Sequence, residues 1–129
     1  MTNKIKLINL LTDLIAFESV TPCDAGSLDY IAAFVENLGG SCVRLKRNQT
    51  TNLIATLGTG STVFAFAGHV DVVPTGDVTQ WITQEPFKLQ QIGDKLIGRG
   101  VADMKGAIAA FLLALADFIE KNAPDSYQI

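Results

Sequence analysis

The chain has 129 residues, of which 48% are hydrophobic and 18% charged, with a formal net charge of −3 and a pI near 4.9. This length suits one modest domain, and the acidic balance excludes the basic patch that nucleic-acid binding requires. A mean hydropathy of +0.28 is rich for such a length, so part of the apolar surface is expected to pack against further protein.

The uninterrupted apolar run from Ala107 to Ala116 is well short of the ~20 residues a bilayer-spanning helix needs, and no membrane span is predicted. Lys4 and Lys6 precede an apolar stretch that Thr12 and Asp13 break, and no small-residue cleavage site follows. That argues against a secretory signal and for a cytoplasmic protein. Cys23 and Cys42 are too few and too far apart for a disulfide framework or a paired-thiolate metal knuckle.

From Thr2 to about Glu18, Leu7, Leu10, Leu14 and Phe17 recur at helical spacing and predict an amphipathic helix. Pro22 and Gly26 punctuate the loop that follows. Ser27 is placed to cap a second helix, in which Leu28, Ile31, Val35 and Leu38 repeat until Gly39 and Gly40 stop it. Two strands are expected at Cys42–Lys46 and Asn52–Leu57 around a polar turn. The tight reversal Gly58–Ser61 then leads into the run Thr62–Gly68. This run is almost continuously apolar, as in a strand buried on both faces of a parallel sheet. A long irregular stretch through Trp81 and Pro86 precedes a hairpin, Phe87–Gln91 with Lys95–Gly98, turning at Gly93-Asp94. A final helix, about Lys105 to Lys121, is apolar on nearly every face and is expected to be enclosed by its neighbours. Tyr127 to Ile129 reads as the start of a further strand.

Polar chemistry gathers where the central run ends. Alternation along a strand puts His69 and Asp71 on the same side. A carboxylate there can accept the proton of one ring nitrogen and present the other to a metal. Asp103, before the last helix and among Gly98, Gly100 and Gly106, can reach the same end of the sheet, where α/β folds place ligands. Its two oxygens can bind one metal or bridge two. Arg99 and Lys105 flank it as charge partners. Taken singly, each residue also has a plainer reading: His69 as a hydrogen-bonded structural residue, and Asp103 as a helix cap.

Taken jointly, Gly68-His-Val-Asp-Val-Val-Pro74, Trp81 with Pro86-Phe87, and Gly98-Arg-Gly-Val-Ala-Asp-Met-Lys-Gly106 resemble the zinc-dependent deacylase and exopeptidase family that includes desuccinylases, deacetylases and carboxypeptidases. The opening loop, Phe17 to Gly26, resembles the desuccinylase branch, although Cys23 stands where that branch often has an acidic residue. The resemblance implies an α/β fold with a mixed central sheet flanked by helices. It implies that His69 binds one zinc, Asp71 orients His69 as part of the catalytic machinery, and Asp103 bridges two zincs, with cobalt able to substitute.

The implied substrate is a small N-acyl amino acid, N-succinyl-diaminopimelate, hydrolysed to succinate and diaminopimelate on the route to lysine. The complete enzyme is implied to be a homodimer. An acetylornithine-type deacetylase or exopeptidase is the rival within the family, and a non-catalytic partner-binding module the rival outside it. The family also uses a Glu-Glu pair after the next strand, a second histidine ligand and an inserted lid domain. This chain has one histidine, and residues 1–129 are therefore expected to be the amino-terminal part of a catalytic domain, inactive alone.

Overall fold

The computed structural model describes residues 2–129. Its elements in chain order are helix α1 (Asn3–Ala16), helix α2 (Ser27–Asn37), strands β1 (Ser41–Arg47) and β2 (Thr50–Thr56), strands β3 (Gln90–Ile92) and β4 (Lys95–Ile97), and helix α3 (Gly106–Ile119). No helix of the described residues is long and apolar enough to cross a membrane.

The helices form where the apolar spacing predicts them. In α1 the stripe buries Leu11, Leu14 and Ile15, and Asn3 Nδ2 donates to Asp117 Oδ2 at 2.9 Å, tying α1 to α3. In α2 the buried residues are Leu28, Ala32 and Val35, with Ser27 at its first turn. Ser27 is not the cap that its residue type suggests. Gly26, in the left-handed region at φ 93°, takes the capping position, and the Ser27 hydroxyl turns back to donate to Asp24 O at 2.6 Å. Helix α3 buries only one stripe, Ile108, Ala109, Leu112 and Leu115, while Phe118 is exposed. Its expected all-round enclosure is therefore not met by the described residues.

The expected mixed central sheet is not formed either. Two separate antiparallel pairs are present: β1 with β2, in a register running from Ser41 opposite Thr56 to Arg47 opposite Thr50, and β3 with β4. Parallel pairing is confined to two single bridges, Val20 with Val72 and Val63 with Gln128. The run Thr62–Gly68, expected to be buried on both faces, carries Val63 at 65% and Phe64 at 60% exposure. The physical reason is a shortage of neighbours. A strand buried on both faces needs ladders along its two edges, and this run has ladder contact only at its first residues.

One core nonetheless joins these parts. Leu11, Leu14 and Ile15 of α1 meet Ile108, Leu112 and Leu115 of α3, with Val35, Leu57 and Tyr127 completing the cluster. The segment Val101–Lys105 kinks before α3, and Lys105 is fully buried there. Its ammonium donates to Phe17 O at 2.8 Å, linking the end of α1 to the start of α3.

Burial pushes the Lys105 pKa down to about 8. The unfolded chain, with an ordinary lysine value, then holds the extra proton between that pKa and 10.5, so stability rises with pH through this window. Urea denaturation at pH values of about 7.5 and 9.5 should show the wild type gaining about 2 kcal/mol relative to Lys105→Met. An unchanged difference would mean that the ammonium is solvated.

Candidate metal centre

Three stretches meet at one end of the molecule. The loop after α1 lies along residues 70–72: Thr21 N donates to Val72 O at 3.1 Å, and Val72 N to Ser19 O at 2.8 Å. The hydroxyl of buried Ser19 donates to Val70 O at 2.7 Å. The third stretch is the kinked segment ahead of α3, where Asp103 takes extended dihedrals (φ −135°, ψ 96°). A shallow depression of about 260 Å³ between them is lined by Thr21, His69, Asp71, Arg99, Gly100 and Asp103.

Gly68 matters because of what lies beside it. A Cβ there would come within 3.1 Å of the Phe66 ring and 3.2 Å of the Met104 methyl. Without one, His69 N approaches Met104 Sδ to 3.5 Å.

The His69 ring spans two acceptors. Nδ1 lies 2.9 Å from the main-chain oxygen of Asp71, and Nε2 lies 3.0 Å from Asp103 Oδ1. The Asp71 carboxylate is a more distant neighbour of Nδ1, with Oδ1 at 3.5 Å. Its other oxygen, Oδ2, accepts from the Thr21 hydroxyl at 2.6 Å. The structure thus brings His69, Asp71 and Asp103 together, but the nearest oxygen fixing the ring is a peptide carbonyl rather than a side chain. A carbonyl accepts only, so Nδ1 carries a proton; Asp103 Oδ1 also accepts, so Nε2 donates to it in the protonated ring, and loss of that second proton frees the Nε2 lone pair for a metal.

His69 and Asp103 are open to solvent, with side-chain exposures of 46% and 86%. The His69 pKa is raised, first by the Asp71 carbonyl, against a lowering from burial, with the hydrogen bond and charge of Asp103 and the charge of Asp71 adding to the rise.

Arg99 and Lys105 are not charge partners of Asp103. Arg99 donates through one terminal nitrogen to Pro74 O at 3.1 Å and lies 4.9 Å from the Trp81 ring centre. The Trp81 indole donates to Thr75 O at 2.9 Å. Arg99 therefore anchors the long irregular loop, and Lys105 is committed to Phe17. Thr21 is the functional neighbour that sequence reasoning missed. Its signal was a hydroxyl residue in the Ser19-Val-Thr-Pro22 turn, which pointed to a loop and not to a partner.

Among the described residues no cluster of three or more His, Cys, Asp or Glu side chains is arranged to hold a metal. His69 Nε2 and Asp103 form a fitting but partial donor pair, one imidazole and one carboxylate on a common focus.

The raised His69 pKa adds stability that is complete below the ordinary value of 6.5 and is lost as pH rises through the folded one. Titration of the His69 ring protons by NMR should place its pKa above 6.5. Asp103→Asn should lower it more than Asp71→Asn, since the latter keeps the carbonyl. Thr21→Val should leave the pKa near its starting point but broaden the Asp71 signals, and Thr21→Ser should restore them. Equal effects of the two aspartate variants would contradict this arrangement.

A succinyl-diaminopimelate desuccinylase of Rhodospirillum centenum is 46% identical over 127 residues, covering 95% of this chain and 33% of its own length. The protein of the same name from Legionella pneumophila is 45% identical over 114 residues, covering 88% and 30%. The chain thus spans about a third of the curated relatives it matches.

Among solved structures, human carnosine dipeptidase 1 superposes with a TM-score of 0.80 at 26% identity, covering 98% of this chain and 31% of its own. An M20 family metallo-carboxypeptidase from Sulfolobus solfataricus, at 22% identity, shares the fold with a TM-score of 0.81 over 95% of this chain and 29% of its own. The model of peptidase family M20/M25/M40 matches residues 65–129, which include both halves of the site. With His69 and Asp103 inside that match, the chain belongs to peptidase family M20/M25/M40.

Proposed function

We propose that residues 1–129 are the amino-terminal part of a zinc-dependent amide hydrolase acting on small N-acyl amino acids. The substrate we favour is N-succinyl-diaminopimelate, cleaved with water to succinate and diaminopimelate. The observation that carries this reading is the approach of His69 Nε2 to Asp103 Oδ1 at 3.0 Å, with Nδ1 already engaged by the Asp71 carbonyl. The identity of 45–46% to proteins named as desuccinylases supports the choice of acyl group.

In this reading His69 and Asp103 hold the metal. Bound zinc would supply Lewis-acid polarisation of the acyl carbonyl and a water acidic enough to react near neutral pH. The remaining work falls to the protein. The Asp71 carbonyl keeps His69 in the tautomer that can ligate, and the Asp71 carboxylate adds negative charge behind the ring, which makes Nε2 a better donor. Thr21 holds that carboxylate by its second oxygen. Arg99, through Pro74 O and the Trp81 ring, keeps the irregular loop against the rim of the depression.

Catalytic zinc ordinarily takes three protein ligands and a water, one more than this pair. Further ligands, a lid domain and the surface of a homodimer are accordingly assigned to polypeptide outside residues 1–129, and a cytoplasmic setting belongs to the same reading.

Calorimetric titration with zinc should give weak binding that His69→Ala and Asp103→Ala each abolish, and that Asp71→Asn weakens by about tenfold. No succinate should be released from N-succinyl-diaminopimelate by residues 1–129 alone. Tight stoichiometric zinc with measurable succinate release would overturn the view that this part is incomplete. Zinc binding indifferent to His69 would overturn the site.

A further inference from the structure

Met104 joins the two halves of the site in a way that the donor pair itself does not. It follows Asp103 directly in the chain, and its side chain turns back so that Sδ accepts from the main-chain N–H of His69 at 3.5 Å. We propose that Met104 is a positioning residue of the donor pair: its thioether holds the His69 main chain at a set distance from the segment that carries Asp103, before and after a cation enters. This rests on the reading of His69 and Asp103 as metal donors.

Binding a cation removes the other link between these residues. In the free site His69 Nε2 and Asp103 Oδ1 stand 3.0 Å apart, a hydrogen bond that exists only while a proton lies between them. A cation taken by the same two atoms replaces that proton, so the bond is lost when the spacing of the donors matters most. The contact through Met104 survives the exchange. It joins a main-chain N–H, which keeps its proton, to a thioether, which is an uncharged acceptor. Among the described residues Met104 Sδ is the one acceptor that the His69 N–H meets.

The surroundings of the sulfur prepare this contact from two sides. Gly68 leaves room for it: a Cβ there would lie 3.2 Å from the Met104 methyl and 3.5 Å from Sδ, so a larger residue crowds the thioether beside the amide it serves. On the other side Met104 is partly buried and packs against the core cluster that α1 and α3 share. Asp103, one residue earlier, has a side chain that is 86% exposed. The carboxylate thus stands in solvent while its neighbour is rooted in the core, and the neighbour's sulfur carries that rigidity across to His69. An unbranched thioether can follow such a path and still accept a hydrogen bond. Leucine has a similar volume and lacks the acceptor.

Two variants and one labelled form of residues 1–129 provide the test. Met104→Leu removes the acceptor, and Gly68→Ala keeps the sulfur but crowds it. In both, exchange of the His69 amide should quicken by about threefold or more, while the core amides of Leu14 and Leu112 exchange as in the wild type. Zinc binding, followed at the His69 ring protons, should weaken by about threefold in Met104→Leu. Labelling with selenomethionine places selenium at Met1 and Met104, the two methionines of the chain, and keeps an acceptor at the site. Zinc affinity should then match the wild type, and with an NMR-active selenium isotope a scalar coupling should join selenium to the His69 amide proton. Zinc affinity unchanged in Met104→Leu yet still dependent on His69 would overturn the positioning role and leave the metal reading standing. Zinc binding indifferent to His69 would overturn that reading and this proposal with it. Equal exchange of the His69 amide in wild type and Met104→Leu, or no coupling to selenium, would overturn the contact itself.

Discussion

The buried ammonium of Lys105 is the constraint on which the site depends. Placing a charge out of water is costly unless an acceptor meets it, and here one carbonyl, that of Phe17 at 2.8 Å, does so. The contact fixes the point where α1 gives way to its loop against the point where α3 begins. The loop then has little freedom: Ser19, Val20 and Thr21 pair with Val70 and Val72, and Asp71 sits between them. Asp103, two residues before Lys105, is carried to the same place by the kink. Parts of the sequence far from one another are brought together by main-chain hydrogen bonds and one buried cation, while the ionisable groups of the site stay outside the core.

This arrangement separates positioning from reactivity. His69 is held by a peptide carbonyl, whose place is set by backbone and does not change with pH, so ring orientation is independent of the charge on Asp71. The carboxylates around it are exposed and cost little desolvation. A pair of donors placed in this way gains its preorganisation from the loops behind it. The hydroxyl of Thr21 extends that support one step further, through the second oxygen of Asp71.

Elements whose stability is local were legible in the sequence. The 3.6-residue spacing in α1 and α2 and the turns at Asn48 and Gly93 agree with the structure because their determinants lie within a few residues. His69 and Asp103 could be nominated from residue type and from the break between an apolar run and glycines. Features set by distant partners could not be read this way. Ser27 has the chemistry of a cap, yet Gly26 before it takes the left-handed turn and redirects the hydroxyl. Arg99 and Lys105 look like partners of Asp103 by adjacency, but an aromatic ring and a carbonyl elsewhere in the fold claim them. The apolar run Thr62–Gly68 has the composition of a buried strand, but burial belongs to the sheet and not to the strand.

That last point also explains the apolar surplus in the composition. Surface apolar residues spread singly would be ordinary. Here Ile54, Val63, Phe64 and Phe66 are exposed and line one open slot together. Collapse of the gap is opposed from both sides, since β2 is held by β1 and the run is held at Val63 by Gln128. Phe66 is also stacked on Phe111 of α3 at 4.2 Å between ring centres. The same run ends at Gly68 and His69, so the edge that lacks a neighbour leads directly to the imidazole. The uncovered apolar run and the imidazole are therefore joined by a single stretch of extended chain.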